Sequence, residues 1–145
     1  MRLVTGQKGQ TLIEVLIAVA LLGMLATAFL GGLFAALKAD IIADERAVCQ
    51  SLSQSHLEFV KSQAWSSTAG WDYTVTPDAA TPGTQPSWWD PANGVPPLVS
   101  EAECGTGYSV LVKAEDIEGD LREITVKVYR IGELKLTLEG YKAKI

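Results

Sequence analysis

The feature that most restricts this chain is a stretch without charge, residues 15–37. Val15 to Leu37 is apolar apart from its glycines and Thr27, and the next charge is Lys38. At about 1.5 Å per residue such a run crosses a hydrocarbon core of roughly 30 Å. In lipid, a single spanning segment satisfies its own backbone only as a helix. The run is therefore read as a transmembrane helix. Gly23 and the pair Gly31–Gly32 weaken it locally and let a neighbouring helix approach closely.

Beyond Lys38 the pattern changes without a breaker. Residues 38–64 contain neither Pro nor Gly. Ile41, Val48, Leu52 and Phe59 recur at steps of seven, four and seven, which is a helical stripe. Asp40, Asp44, Glu45, Arg46, Gln50, Glu58 and Lys61 fill other positions. The expectation is one continuous helix from about Leu12 to Ala64, roughly 80 Å long at the standard rise. Its first half is apolar all round. Its second half is apolar on one face, as if a soluble domain packed there.

Residues 65–106 differ in kind. All six prolines fall between Pro77 and Pro97, and all four tryptophans between Trp65 and Trp89. This reads as a long loop, with a short strand at Trp71–Thr76 where Trp71, Tyr73 and Val75 alternate with polar residues. A structureless loop of that length is unusual in a small domain. The remainder, residues 107–145, is β. Tyr108, Val110 and Val112 alternate with polar neighbours, as do Ile124, Val126 and Val128, and Leu134, Leu136 and Leu138. Short turns at Glu115–Leu121 and Arg130–Glu133 imply an antiparallel meander. The fold expected is α+β, a long N-terminal helix packed on a small antiparallel sheet through the stripe of residues 41–59.

The formal net charge is −5 over 145 residues, with no basic run. Such a surface repels phosphate backbones, so nucleic acid is not an expected partner. Cys49 and Cys104 both follow the apolar run and would share a compartment. Two readings stay open for them: a disulfide if that side is oxidising, or two thiols. His56, the sole histidine, has no ligand partner at metal spacing and reads as a solvated helix position. Asp116, Glu118 and Asp120 around Gly119 read as a charged hairpin turn in preference to a loose calcium site. Trp88–Trp89 either grip a partner or cap the underside of the sheet. No arrangement of Ser, Cys or His suggests a nucleophile with its base, and no cofactor is implied.

The decisive segment is Lys8-Gly9-Gln10-Thr11-Leu12-Ile13-Glu14-Val15-Leu16-Ile17-Ala18. An ordinary signal peptide is cut after its apolar run. Here a short basic leader ends in Gly9 and the apolar helix follows at once, broken only by Glu14. A carboxylate near the start of a membrane helix is costly; either it has a partner or a function, or it sits at the interface facing headgroups, helped by the N-terminal helix dipole. The string resembles the prepilin leader and cleavage–methylation motif of type IV pilins and type II secretion pseudopilins. That resemblance implies cleavage between Gly9 and Gln10 by a prepilin peptidase. It implies N-methylation of Gln10, and a salt bridge in which Glu14 meets the terminal amine of a neighbouring subunit. The family's first mature residue is most often Phe, and here it is Gln10. Loss of Arg2 and Lys8 with the leader would take the side-chain charge from −5 to −7.

The implied organisation is a leader at 1–9, a transmembrane and assembly helix at 10–37, and an extracytoplasmic head at 38–145. The implied function is structural and not enzymatic: a subunit of a pilus or secretion pseudopilus. Its implied partners are the prepilin peptidase/methyltransferase, other pilin or pseudopilin subunits, an inner-membrane assembly platform and membrane lipid. The implied location is the cytoplasmic membrane as a single-pass protein, then the filament at the cell surface. Ala47-Val48-Cys49-Gln50-Ser51-Leu52, His56-Leu57-Glu58-Phe59-Val60 and the V-x-V meander look like minor pilins and the smaller minor pseudopilins. Major pilins commonly close a C-terminal loop with a Cys pair, whereas no Cys follows Cys104. A competing reading is a bitopic anchor displaying a binding domain, with Trp71, Trp88 and Trp89 as its contact surface. A membrane-tethered enzyme is the third.

Overall fold

The computed structural model describes residues 12–90, 96–100, 104–118 and 120–144. Its first element is a single helix, α1, Leu12–Ser62. The chain divides into two compact units, Met1–Ala43 and Asp44–Ile145. Within the first unit, every described residue of α1 is exposed. Gly23, Gly31 and Gly32 lie inside the helix without interrupting it. Glu14 in the first turn and Lys61 in the last complement the helix dipole.

The second unit is an α+β head. Its strands are β1 (Trp71–Val75), β2 (Ala80–Pro82), β3 (Tyr108–Glu118), β4 (Leu121–Arg130) and β5 (Glu133–Ala143). They form one sheet of order β2-β1-β3-β4-β5, antiparallel at every pairing. The meander β3–β4–β5 follows from three alternating apolar runs joined by turns too short for a parallel crossover. β1 adds to it from far along the chain, pairing Trp71 with Ala114 and Val75 with Val110.

The helix within the head buries Cys49, Leu52, Ser53, His56 and Val60 against the sheet. This face is rotated from the stripe expected at Ile41, Val48, Leu52 and Phe59. Val48 and Phe59 are half-buried at its margins, and Ile41 is exposed. His56 corrects the reading of a solvated position, being only 1% exposed. Both Ser53 and His56 sit on the buried face, so polarity alone misplaces it. Ser53 is tolerated there because its hydroxyl donates to the Gln50 carbonyl at 3.0 Å.

The expected triplet Leu134, Leu136, Leu138 does not share one face. The β4–β5 register shifts between Val128 and Tyr129, so Leu136 and Leu138 oppose Val128 and Val126, whereas Leu134 opposes Tyr129. Leu136 and Leu138 pack on the core and Leu134 is exposed. A bulge of this kind re-aims a side chain that simple alternation would place inward.

The long Pro- and Trp-rich segment is more ordered than its composition suggests. It contributes β1 and also β2, a strand not expected from the sequence. Asp72 holds it by accepting from the Thr84 N–H at 2.8 Å, while its carbonyl takes the Gly83 N–H. The buried Ser66 hydroxyl accepts from the backbone of Ser87 at 2.9 Å. Trp71 and Tyr73 stack with centroids 6.0 Å apart, and Trp88 meets Trp71 edge-on at 5.4 Å. Phe59 of α1 meets Trp88 at 5.8 Å. Trp88 and Trp89 thus cap the core, and with Trp71 they are spent on packing. They do not form the exposed contact surface that the bitopic-anchor reading requires.

Candidate functional site

The site indicated by the sequence begins where α1 begins. Gly9 and Gln10 lie outside the described residues. Glu14 lies in the first turn of α1 with its side chain exposed. Around it, Leu12, Ile13, Val15, Leu16 and Ile17 are exposed as well. Among the described residues of this segment, Glu14 is thus an anion set in an exposed apolar surface. Such a carboxylate is costly in lipid or in a helix bundle unless a cation meets it. The helix is long and apolar enough to cross a membrane, by length and composition.

The head presents a second cluster, at the helix turn Glu45–Cys49. Glu45 lies 3.4 Å from Arg130 and 3.3 Å from Lys135. Burial pushes its carboxyl up, and the two cations outweigh that push, so the net shift is downward. Arg130 also lies over the Tyr108 ring, 5.3 Å from its centroid. The Cys49 thiol is raised first by burial and then by the Glu45 charge. Cys49 is buried and Cys104 half-buried.

A third cluster ties the end of α1 to the sheet. Lys142 of β5 donates to the Val60 carbonyl at 2.7 Å and to the Gln63 carbonyl, capping acceptors the helix leaves open. Burial, with help from Arg122, depresses the Lys142 ammonium. Arg122 is buried and donates to Asp116, to the Ser66 carbonyl at 3.3 Å and to the Thr68 carbonyl at 3.2 Å. Its guanidinium stacks on Trp65 at 4.5 Å. Asp116 is therefore committed to an arginine. Among the described residues no group of three His, Cys, Asp or Glu is placed to hold a metal. Sequence reasoning passed over Arg122 and Lys142, because a cation flanked by β residues gives no local sign that it will be buried.

These parts define a class: a protein with an N-terminal apolar helix, an acidic residue in its first turn, and an α+β head built on the end of the same helix. Residues 5–30 match the family described as the prokaryotic N-terminal methylation motif, so the chain carries the type IV pilin and pseudopilin signature. The match includes Gly9, Gln10 and Glu14. No curated protein and no solved structure matches the chain. The chain is pilin-like in its N-terminal segment, and that motif implies processing by a prepilin peptidase and assembly with other pilins.

Proposed function

We propose that this protein is a structural, minor subunit of a type IV pilus or a secretion pseudopilus. It is cut between Gly9 and Gln10, methylated on Gln10 and assembled through α1. The observation that carries this reading is Glu14, an exposed anion in the otherwise uncharged first part of α1, before Lys38, and inside the matched motif. After cleavage the α-amine of Gln10 is a cation four residues before Glu14. In a stack of apolar helices, that amine and the Glu14 of a neighbour attract strongly because the dielectric is low. Their pairing offsets part of the cost of leaving water and sets the register of one subunit on the next. Contacts between unlike surfaces of this kind propagate as open filaments.

The minor-subunit part rests on the likeness of the 47–60 helix and the V-x-V meander to minor pilins. The head is placed outside the cytoplasmic membrane, anchored by a single span, before it joins the filament. The partners in this reading are the prepilin peptidase/methyltransferase, the assembly platform, lipid and other subunits. The role is mechanical and not catalytic.

Intact-mass measurement of the membrane-extracted protein tests the reading. The expected product lacks residues 1–9 and carries one added methyl group, about 14 Da. A protein that retains its leader in cells with an active prepilin peptidase is a plain bitopic anchor, and the proposal then fails.

A further inference from the structure

We propose that Cys49 and Cys104 form a structural disulfide, closed after the head leaves the cytoplasm, that staples α1 to the segment entering β3. This rests on the extracytoplasmic placement of the head proposed above.

Two separate paths through the fold lead both cysteines to the core near the start of β3. From the helix side, Glu45 lies 3.4 Å from Arg130, and Arg130 pairs in register with Tyr108, the first residue of β3. Cys49 is one helical turn beyond Glu45 on the same face and is 2% exposed. The Glu45–Cys49 turn is thereby laid against the start of β3. From the loop side, Cys104 precedes Tyr108 by four residues and packs on the same core that contains Cys49. Its N–H donates to the Ser100 carbonyl at 2.8 Å. Gly105 and Gly107, at φ +83° and +82°, carry the chain from Cys104 into β3 in a conformation that favours glycine. Both sulfurs also act electrostatically on the Tyr108 hydroxyl, which burial holds above its ordinary range.

The chemistry follows from the difference in access. Cys104 is half-buried, so its thiolate attacks the disulfide of an extracytoplasmic thiol–disulfide oxidoreductase. This forms a mixed disulfide and releases one thiol of the oxidant. The Cys49 thiolate then attacks the Cys104 sulfur. The new S–S bond forms as the mixed disulfide breaks. The oxidant departs as a dithiol, holding the two electrons and the two protons that the cysteines lose. The loop so closed runs from α1 across β1, β2 and the Trp/Pro-rich segment.

Full-length protein is recovered from membranes without reductant, denatured and treated with iodoacetamide. The expected result is no alkyl adduct before reduction and two after it. Trypsin without reduction is expected to release the peptide Ala47–Lys61 linked to Ser62–Lys113. Two adducts before reduction, or either peptide linked to another chain, overturn the proposal. The same spectrum reads leader removal. A processed chain with two alkylated thiols therefore rejects the disulfide and leaves the filament reading standing. A linked pair in a chain that keeps its leader does the reverse. In thermal unfolding, reductant is expected to lower the midpoint of wild type and to leave Cys104→Ser unmoved. A wild-type midpoint insensitive to reductant also overturns the proposal.

Discussion

Gly140 of β5 and Leu57 of α1 meet so closely that a side chain at position 140 would force Leu57 to shift. A Cβ at Gly140 would stand 2.8 Å from Leu57 Cδ1. Gly140 pairs with Ile124 within the β4–β5 ladder, so relief of the clash would have to come from Leu57 or at the expense of that pairing. Gly140→Val is expected to destabilise the head by about 1–3 kcal/mol through overpacking. Leu57→Ala should recover part of the loss in the double variant. Urea unfolding of the detergent-solubilised chain reads both effects. A Gly140→Val protein as stable as wild type would show that the helix and strand can separate.

Arg122 is the most exacting polar residue in the head. Removing its guanidinium leaves two backbone carbonyls and Asp116 without their donor and strips the face of Trp65. Arg122→Met is expected to cost about 3–5 kcal/mol, the range for breaking a buried charged partnership by losing one member. Arg122→Lys should recover only part of this, because a single ammonium does not reproduce a planar fork. Loss of Trp65 packing should appear as a red-shifted tryptophan emission at low urea.

His56 makes the head sensitive to acid. Burial lowers its pKa from 6.5 to about 4, and its Nδ1 has no hydrogen-bond partner among the described residues. The unfolded chain therefore binds a proton more readily than the folded one. The contribution of the neutral imidazole is complete above pH 6.5 and is lost as pH falls through the window from 6.5 to about 4. The loss across that window is on the order of 3 kcal/mol. His56→Asn should flatten the stability profile between those limits relative to wild type, whatever the carboxylates add to both. Parallel profiles would place His56 in contact with water.

Ile131 carries the one positive φ among described non-glycine residues, at +52°, in the turn that joins β4 to β5 with Gly132 at +79°. A β-branched side chain is strained there, and this one is 81% exposed, so burial returns little. Ile131→Asn is expected to stabilise the head by about 1 kcal/mol, the usual cost of a left-handed conformation at an ordinary residue. An upward shift in the thermal midpoint checks it. A downward shift would mean that the close approach of the Ile131 side chain to Gly107 outweighs the strain.

The proposed function predicts that substitution of Glu14 separates folding from assembly. Glu14→Val removes a carboxylate from the helix, so membrane insertion should be equal or better. Incorporation should fall, because the amine of Gln10 enters the helix stack unpaired, at a cost of several kcal/mol. Glu14→Asp should be intermediate. The measurement is the ratio of variant protein in sheared filaments to that in the membrane pool, with Gly9→Val as an unprocessed control. Equal incorporation of Glu14→Val and wild type would reduce Glu14 to a residue facing lipid headgroups.

The sequence by itself determined the uninterrupted helix, the cleavage–methylation motif at its start and the antiparallel meander at the end. Those are local properties. An uncharged run, a fixed string around Gly9 and Glu14, and alternation at Val110, Val112, Ile124 and Val126 can each be read from neighbouring positions. Only the tertiary structure decided which face of α1 is buried. That face is chosen by what the sheet offers, which is why His56 lies inside and Ile41 outside. The same holds for Leu134, turned outward by a shift in register against Tyr129, and for β2, which exists because β1 gives it an edge to join. Arg122 and Ser66 order the Pro- and Trp-rich segment through partners distant in the chain. A hydrogen bond or ion pair of that kind leaves no periodic trace in the sequence, because its two ends become neighbours only after the chain has folded.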